Sequence, residues 1–477
     1  LNSRRFHPAG LAPLLIPAIS LAALDRPYTL RNQEPHLLEL QRESLLDDSA
    51  AMGFASPISD AEPAPTRSLR IAYGDSANHQ SIGLRLVGGE EYRYAGGHAW
   101  SSEAGGLLSG RKAFASFHLD ARIFSERNAS NSSFDREEMD TQNQATTGSI
   151  DYSSYARYRG DFTLDTQLGR LTAARDAAHW GPGVFNNLTF NQDAIPFDQI
   201  AYHASIGPLT VTSLYGDLTA GASQSFSPAN LDGKNLYAHR YELSLGRRWT
   251  AGITEQLFLY GQNRPYLFAP IFPLFIAKGF MYEEANNGNL AADLAYRLPK
   301  RGYLYAEFLL DDLESPSSLF LKEYSQNKWA WMAGAHFLFD LPPGKLGLIG
   351  EYARLEPWVY SHFTPNTAQA SNVGYPLGNP YGPNSQNITF KAYLRPRGNA
   401  YFGLTQVLLW KGTDPGSDLN DPSPRESTTR KAFLGGAGSP SYTLQPEFAW
   451  DWSGLTLDCS AALGEKTKFR TGLRYFY

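Results

Sequence analysis

Cysteine is almost missing from this sequence: among 477 residues there is one, Cys459. A single thiol excludes an intramolecular disulfide framework and any cysteine-cluster metal site. Scarce cysteine is also common in exported bacterial proteins. Basic excess is missing too. Lys and Arg number 42 against 47 Asp and Glu, a formal net charge of -5, so nothing argues for nucleic acid. No apolar run reaches the ~18 residues of a transmembrane helix. The nearest stretch, Leu11 to Leu24, contains Pro13 and Pro17 and follows Arg4 and Arg5. It reads either as the apolar part of a secretory signal or as mature sequence. The second is favoured because Leu1 is not an initiator and signals are normally removed. No GxGxxG before a helix, no phosphate-binding loop and no GxSxG elbow occurs, and the histidines lack HExxH-type spacing. Neither cofactor nor metal is therefore expected. Four Asn-x-Ser/Thr sites, at Asn128, Asn131, Asn187 and Asn387, read as chance.

What is abundant is aromatic and small. There are 27 Tyr, 27 Phe, 9 Trp and 43 Gly but only 4 Met, with a mean hydropathy of -0.37. High Tyr and Gly at modest hydropathy suits a transmembrane β-barrel. Alternate residues there face lipid or a wet lumen, and aromatic girdles mark both interfaces.

Residues 1–65 differ from the rest. Leu37, Leu38, Leu40, Leu45 and Leu46 within Glu34 to Asp48 fall at helical spacing. A short helix is expected there, in a segment serving either as a periplasmic cap or as a plug. Residues 56–66 read as a linker. The barrel is expected to occupy 66–477.

From about residue 67 the period becomes two. Ala115, Phe117, Leu119, Ala121 and Ile123 share one face, and Ser116, His118, Asp120 and Arg122 the other. Leu304, Ala306, Phe308 and Leu310 likewise oppose Tyr303, Tyr305, Glu307 and Asp311. Polar breaks at 128–147, 219–236, 311–318, 364–386 and 412–428 suit outward loops, and Pro342-Pro343-Gly344 suits a tight turn at the opposite end. At the C-terminus Thr467, Phe469, Thr471, Leu473, Tyr475 and Tyr477 alternate with Lys468, Arg470, Gly472, Arg474 and Phe476. Outer-membrane barrels end in such a strand with a terminal aromatic, which the barrel-assembly machinery reads. At about 23–25 residues per strand and loop, about 16–18 strands fit. The fold class is thus all-β, a transmembrane antiparallel barrel with a short helical N-terminal segment.

Several segments go further. They are Gly169-Arg170, His179-Trp180-Gly181-Pro182-Gly183, Asn186-Asn187-Leu188, Ala194-Ile195-Pro196-Phe197 and Gly207-Pro208-Leu209. Tyr303 to Asp312, Ala333 to His336, Glu351 to Arg354, Tyr360-Ser361-His362 and Tyr375 to Pro383 follow. In this order and spacing, over about 165–411, the chain resembles the Wzi capsule-assembly family. It departs from that pattern at Asn191-Gln192-Asp193-Ala194, and its N-terminal third matches poorly. The resemblance implies a non-enzymatic outer-membrane lectin that holds surface polysaccharide. Its partners would be that glycan, with outer-membrane lipid and lipopolysaccharide around it; an envelope protein complex belongs to a separate reading, below.

A polysaccharide site needs flat aromatic faces and planar polar groups. Trp358, Tyr360, His362, Tyr375, Asn379 and Tyr381 supply both, although Trp358 and Tyr360 fit an interfacial girdle equally well. His179 to Gly183 reads as a tight turn able to fold into the lumen, with Gly181 and Gly183 permitting positive φ. Glu307 and Asp311, about 13 Å apart along one strand, are too distant for glycosidase carboxylates. They read instead as lumen charges paired with Arg240 and Arg248. Two other classes stay open: a diffusion porin, with an open conducting lumen, and a structural anchor in an envelope complex. An enzyme acting on lipid or glycan finds no coherent Ser/His/acid set.

Overall fold

The computed structural model describes residues 71–476 except 76–79, 95–96, 128–151, 220–232, 282–285, 300, 314–323, 365–367, 397–399, 426–428, 453–454 and 465–466. The 1–65 segment, its expected helix and Tyr477 lie outside the described residues.

The alternating segments pair antiparallel with their chain neighbours. They run from β2 (Gln80–Tyr94), β3 (His98–Lys112), β4 (Ala115–Arg127) and β5 (Tyr152–Thr166) round to β20 (Leu455–Ala462) and β21 (Lys468–Phe476). β21 then pairs with β2, Phe476 opposite Val87 and Phe469 opposite Tyr94, which closes the sheet. The closed barrel has 18 strands, within the expected range. Closure matters physically because a spanning sheet can leave no unpaired edge in hydrocarbon. A short additional strand, β1 (Ile71–Asp75), pairs with the start of β2.

The pleat sorts the side chains as the sequence predicts. On β4, Leu119 and Ile123 are exposed outside while Ser116, Asp120 and Arg122 are buried within. On β12 (Gly302–Asp312), Leu304 and Phe308 face out and Tyr303, Tyr305, Glu307 and Asp311 face in. Outward aromatics form two belts. On β19 (Ser441–Trp452), Tyr442 is near one end and Trp450 near the other. Their spacing is about 20 Å along the membrane normal, from a strand rise of ~3.3 Å and a tilt of ~40°. That matches the ~25 Å apolar band of an outer-membrane barrel.

Connections sort by end. The turns at 113–114, 167–168, 207–208, 246–248 and 342–343 lie at one end; the described parts of the longer connections, 177–196, 261–281, 356–364, 368–384, 412–425 and 429–440, belong to the other. Even strand number, girdles and this asymmetry define a bacterial outer-membrane barrel, its long connections facing outward. The buried apolar core lies inside the barrel, not between layers. Trp180, Leu188, Phe190, Tyr305, Met332, Val359 and Tyr360 belong to one cluster.

Candidate functional site

That internal core exists because two outer connections fold inward. The first, residues 177–196, joins β6 (Gly169–Asp176) to β7 (Phe197–Ile206). The second, 356–384, joins β14 (Gly344–Leu355) to β17 (Ser385–Pro396). A loop inside a barrel must satisfy its backbone polar groups without bulk water, and here the barrel wall does so with carboxylates.

Glu351, on β14, accepts from the N–H groups of Val184 at 2.5 Å, Phe185 at 3.0 Å and Asn186 at 2.9 Å, and from Asn186 Nδ2 at 3.0 Å. The Tyr305 hydroxyl, from β12, donates at 2.6 Å to Oε1, the oxygen that also accepts Val184 N–H. Glu307 accepts from Leu188 N–H at 2.8 Å and from the Thr189 hydroxyl at 3.4 Å. Gln256 Nε2 donates to Thr189 O at 3.0 Å. The first loop is thus pinned across the lumen by three wall strands, and Asn186, Asn187 and Asn191 are fully buried.

His179 to Gly183 forms the entry to this plug. The Trp180 ring meets Phe190 edge-on at 4.8 Å. Gly183 N–H donates to Asn187 Oδ1 at 2.7 Å, and Asn187 Nδ2 lies 3.0 Å from His179 Nε2. Gly181 has φ +103°, so its glycine is needed for conformation. Gly183 is needed for space: a Cβ there would sit 2.5 Å from Asn187 Oδ1 and 2.6 Å from Met332 Cε.

The second loop clamps the first. Asp311 accepts from Tyr360 N–H at 2.7 Å, and the Tyr360 hydroxyl donates to Leu188 O at 2.7 Å. Burial pushes that hydroxyl well above the ordinary tyrosine range, so it stays a donor. Asn379 N–H donates back to Tyr360 Oη at 3.2 Å, Asn379 Nδ2 to Asn186 Oδ1 at 2.9 Å, and Asn191 N–H to Leu377 O at 2.7 Å. Trp358 and Tyr360 hold positive φ, 62° and 71°, a strained state for aromatic residues that the surrounding bonds impose.

These placements revise the expected glycan site. Trp358, Tyr360, His362 and Asn379 are buried, so they present no free face to a polysaccharide. Trp358 is not a girdle residue either; its ring packs on Gly416, where a Cβ would meet it at 2.6 Å. The His362 ring lies tilted against Phe363 with centroids 4.0 Å apart. Burial, aided by the Lys328 ammonium, lowers its pKa to about 4 and keeps the ring neutral. Tyr375 and Tyr381 remain half-exposed; Lys411 Nζ ties the carbonyls of Tyr381, at 2.9 Å, and Pro383, at 2.5 Å.

The expected pairing of Glu307 and Asp311 with Arg240 and Arg248 is also revised. Arg240 is buried in the wall and binds Asp293 at 2.6 Å and Glu242 at 2.6 Å. Arg248 is exposed on the 246–248 turn, at the periplasmic end. Glu307 and Asp311 hold backbone N–H groups instead. Sequence reasoning passed over Glu351 as a site residue. Its signals are membership of the Glu351 to Arg354 segment, which gives it no role of its own, and an inward position that alternate residues of the strand share.

The opposite side of the lumen is wired differently. Arg474 reaches Glu103 at 2.8 Å, Asp458 at 2.5 Å and Glu91 at 3.1 Å, while Arg122 joins Asp120 at 2.8 Å and Glu103 at 3.1 Å. Among the described residues no cluster of His, Cys, Asp and Glu is arranged to hold a metal ion.

The barrel resembles Wzi of Escherichia coli. That outer-membrane protein is described as involved in group 1 capsule assembly and as a carbohydrate-binding β-barrel; the match has a TM-score of 0.54 and 12% identity over 82% of this chain and 83% of that one. OprD of Pseudomonas aeruginosa aligns with a TM-score of 0.45 and 11% identity over 87% of this chain and 99% of that one. The outer-membrane protein OpdK of the same organism gives 0.45 and 11% over 83% and 98%. No protein-family model matches the sequence, and no curated protein does. At these identities the likeness is one of fold.

Proposed function

We propose that this chain is a non-enzymatic outer-membrane barrel that binds surface polysaccharide at its outer rim. The observation that carries the reading is the plug: Glu351, Glu307 and Asp311 bind the inward loops so fully that the outer end becomes a rigid platform. A preorganised platform favours sugar binding, because little loop entropy is lost when a glycan docks. Of the segments that carry the resemblance to the Wzi family, His179 to Gly183, Asn186 to Leu188, Tyr303 to Asp312, Glu351 to Arg354 and Tyr360 to His362 supply residues of this plug and its clamps. The glycan-facing candidates are then the half-exposed Tyr375 and Tyr381, with Arg425 stacked on Phe363 at 4.1 Å.

The test is binding of the detergent-purified barrel to polysaccharide extracted from its host's surface. Saturable binding that falls at least tenfold in a Tyr375→Ala, Tyr381→Ala variant supports the reading. No binding by a folded barrel removes it. A second reading, a porin, is favoured by the ion-paired lumen wall around Arg122 and Arg474; stable single-channel conductance in planar bilayers distinguishes it.

A further inference from the structure

The connection between β10 (Trp249–Tyr260) and β11 (Asn286–Leu298) does not rise away from the barrel. On β9 (Lys234–Leu245) and β10 the even-numbered residues face the lumen: Arg240 binds Asp293 and Thr254, and Gln256 reaches the plug. Tyr237, His239, Tyr241, Glu255, Leu257 and Leu259 therefore lie on the outer wall. Outward residues nearer the periplasm, such as Ile253 and Trp249, are exposed. Yet Tyr237, His239, Leu257 and Leu259 are fully buried, and Glu255 nearly so.

The cover is residues 261–281, which fold back down the outside of the wall. They comprise a 3-10 turn, Pro265–Phe268, and a five-residue helix, α1 (Leu274–Lys278). Leu267 and Leu274 pack on Tyr237, Leu257 and Leu259. Glu255 accepts from the N–H groups of Leu274 at 3.2 Å and Phe275 at 3.4 Å. The Tyr237 hydroxyl donates to Asn263 Oδ1 at 2.8 Å and accepts Arg264 N–H at 2.9 Å. Lower down, the Tyr241 hydroxyl donates to Pro270 O at 2.8 Å. Lys278 ties the helix to Asp312 at 3.0 Å.

The other side of this flap is apolar and open. Phe280 is 87% exposed, Ile271 78% and Ile276 62%, with Tyr266 and Phe272 beside them. Its height is set by register. Tyr241 lies opposite Ile253, four residues above the girdle residue Trp249. That is about 13 Å along the strand and about 10 Å along the normal. In an apolar band ~25 Å tall, Pro270 and Ile271 fall well inside hydrocarbon. The wall beside it is lipid-facing, with Ile253 and Leu294 both exposed, Leu294 lying opposite Ala251, two residues from Ile253.

We infer that residues 261–281 form a membrane-embedded flap whose Tyr266, Ile271, Phe272, Ile276 and Phe280 bind the acyl chains of the bilayer core while its inner side caps the polar His239 and Glu255 of the wall. Both halves follow from one requirement. Polar groups on a spanning wall must find partners away from lipid, and the flap supplies cover and N–H donors together. Acyl chains are the occupant because a segment at this depth, level with the barrel's own lipid face, meets hydrocarbon.

The test is nitroxide accessibility in proteoliposomes of phosphatidylcholine and phosphatidylglycerol. Labels are placed at Ile271→Cys and, separately, Ile276→Cys in a Cys459→Ser background. Leu294→Cys serves as the lipid-facing reference and Ser439→Cys as the aqueous one. Electrophoretic heat-modifiability confirms folding of each variant. High collision with oxygen and at least a fivefold lower collision with a nickel chelate than at Ser439→Cys are expected. Nickel access equal to that at Ser439→Cys overturns the inference. So does protection from both reagents, which would place a protein partner or a second copy on the flap.

Discussion

Glu351 shows how much one lumen position can decide. Its carboxylate takes three consecutive backbone N–H groups of the plug and one tyrosine hydroxyl. Removing it leaves those donors buried without partners, at ~1–3 kcal/mol each. Glu351→Ala is expected to lower stability by at least ~3 kcal/mol and to raise bilayer conductance as the plug loosens; heat-modifiability and single-channel recording read the two effects. His362 gives a pH signature. Its folded pKa, about 4, lies below the unfolded value of ~6.5. The unfolded loop therefore binds more protons between these values, and stability falls as pH drops from ~6.5 towards 4, then levels off. The full effect is on the order of 3 kcal/mol. Hydrogen exchange of amides in 356–384 is expected to accelerate over that window in the parent and not in His362→Gln.

At the scale of elements, the two inward loops act as one body. Gly378 is where they touch: a Cβ there would stand 2.1 Å from Leu188 O, a distance no real contact tolerates. Gly378→Ala is expected to part the loops while leaving the strands paired. Unchanged β-sheet circular dichroism with faster proteolysis within 177–196 would report it; an unaltered digestion pattern would show that the contact is dispensable. The strands and their alternation were readable because side-chain period is a local property. Pro342-Pro343-Gly344 was readable for the same reason, the β13 (Lys328–Leu341) to β14 hairpin turning there. The 261–281 flap was not. After a polar start, Gln262-Asn263-Arg264, it runs apolar from Tyr266 to Ala277 apart from its prolines, so little in it marks a loop, and its burial against β9 and β10 is a tertiary event.

For the whole molecule, the closing seam between β21 and β2 is held by a network of ion pairs. Arg474 on β21 bridges Glu91 on β2, Glu103 on β3 and Asp458 on β20. Truncating it takes the Arg474 partner from Asp458, while Glu103 keeps Arg122 and Glu91 keeps Arg93 and Arg470; breaking a buried pair of this kind costs about 3–5 kcal/mol, less where lumen water screens it. Arg474→Met is expected to lower the temperature at which the barrel loses its folded gel mobility. Arg248→Met, on an exposed turn, is expected to leave it unchanged.

The sequence by itself determined the membrane barrel. Two-residue alternation, aromatic enrichment and the spacing of polar breaks each follow from local chemistry, and closure of an even number of strands follows from the hydrocarbon's intolerance of free edges. Only the tertiary structure decided what fills the barrel. Whether Trp358 meets a sugar, a lipid or Gly416, and whether Glu307 pairs with an arginine or with the Leu188 N–H, depends on which loops turn inward. That is set by contacts between residues from about fifty to more than a hundred positions apart, which no local pattern records.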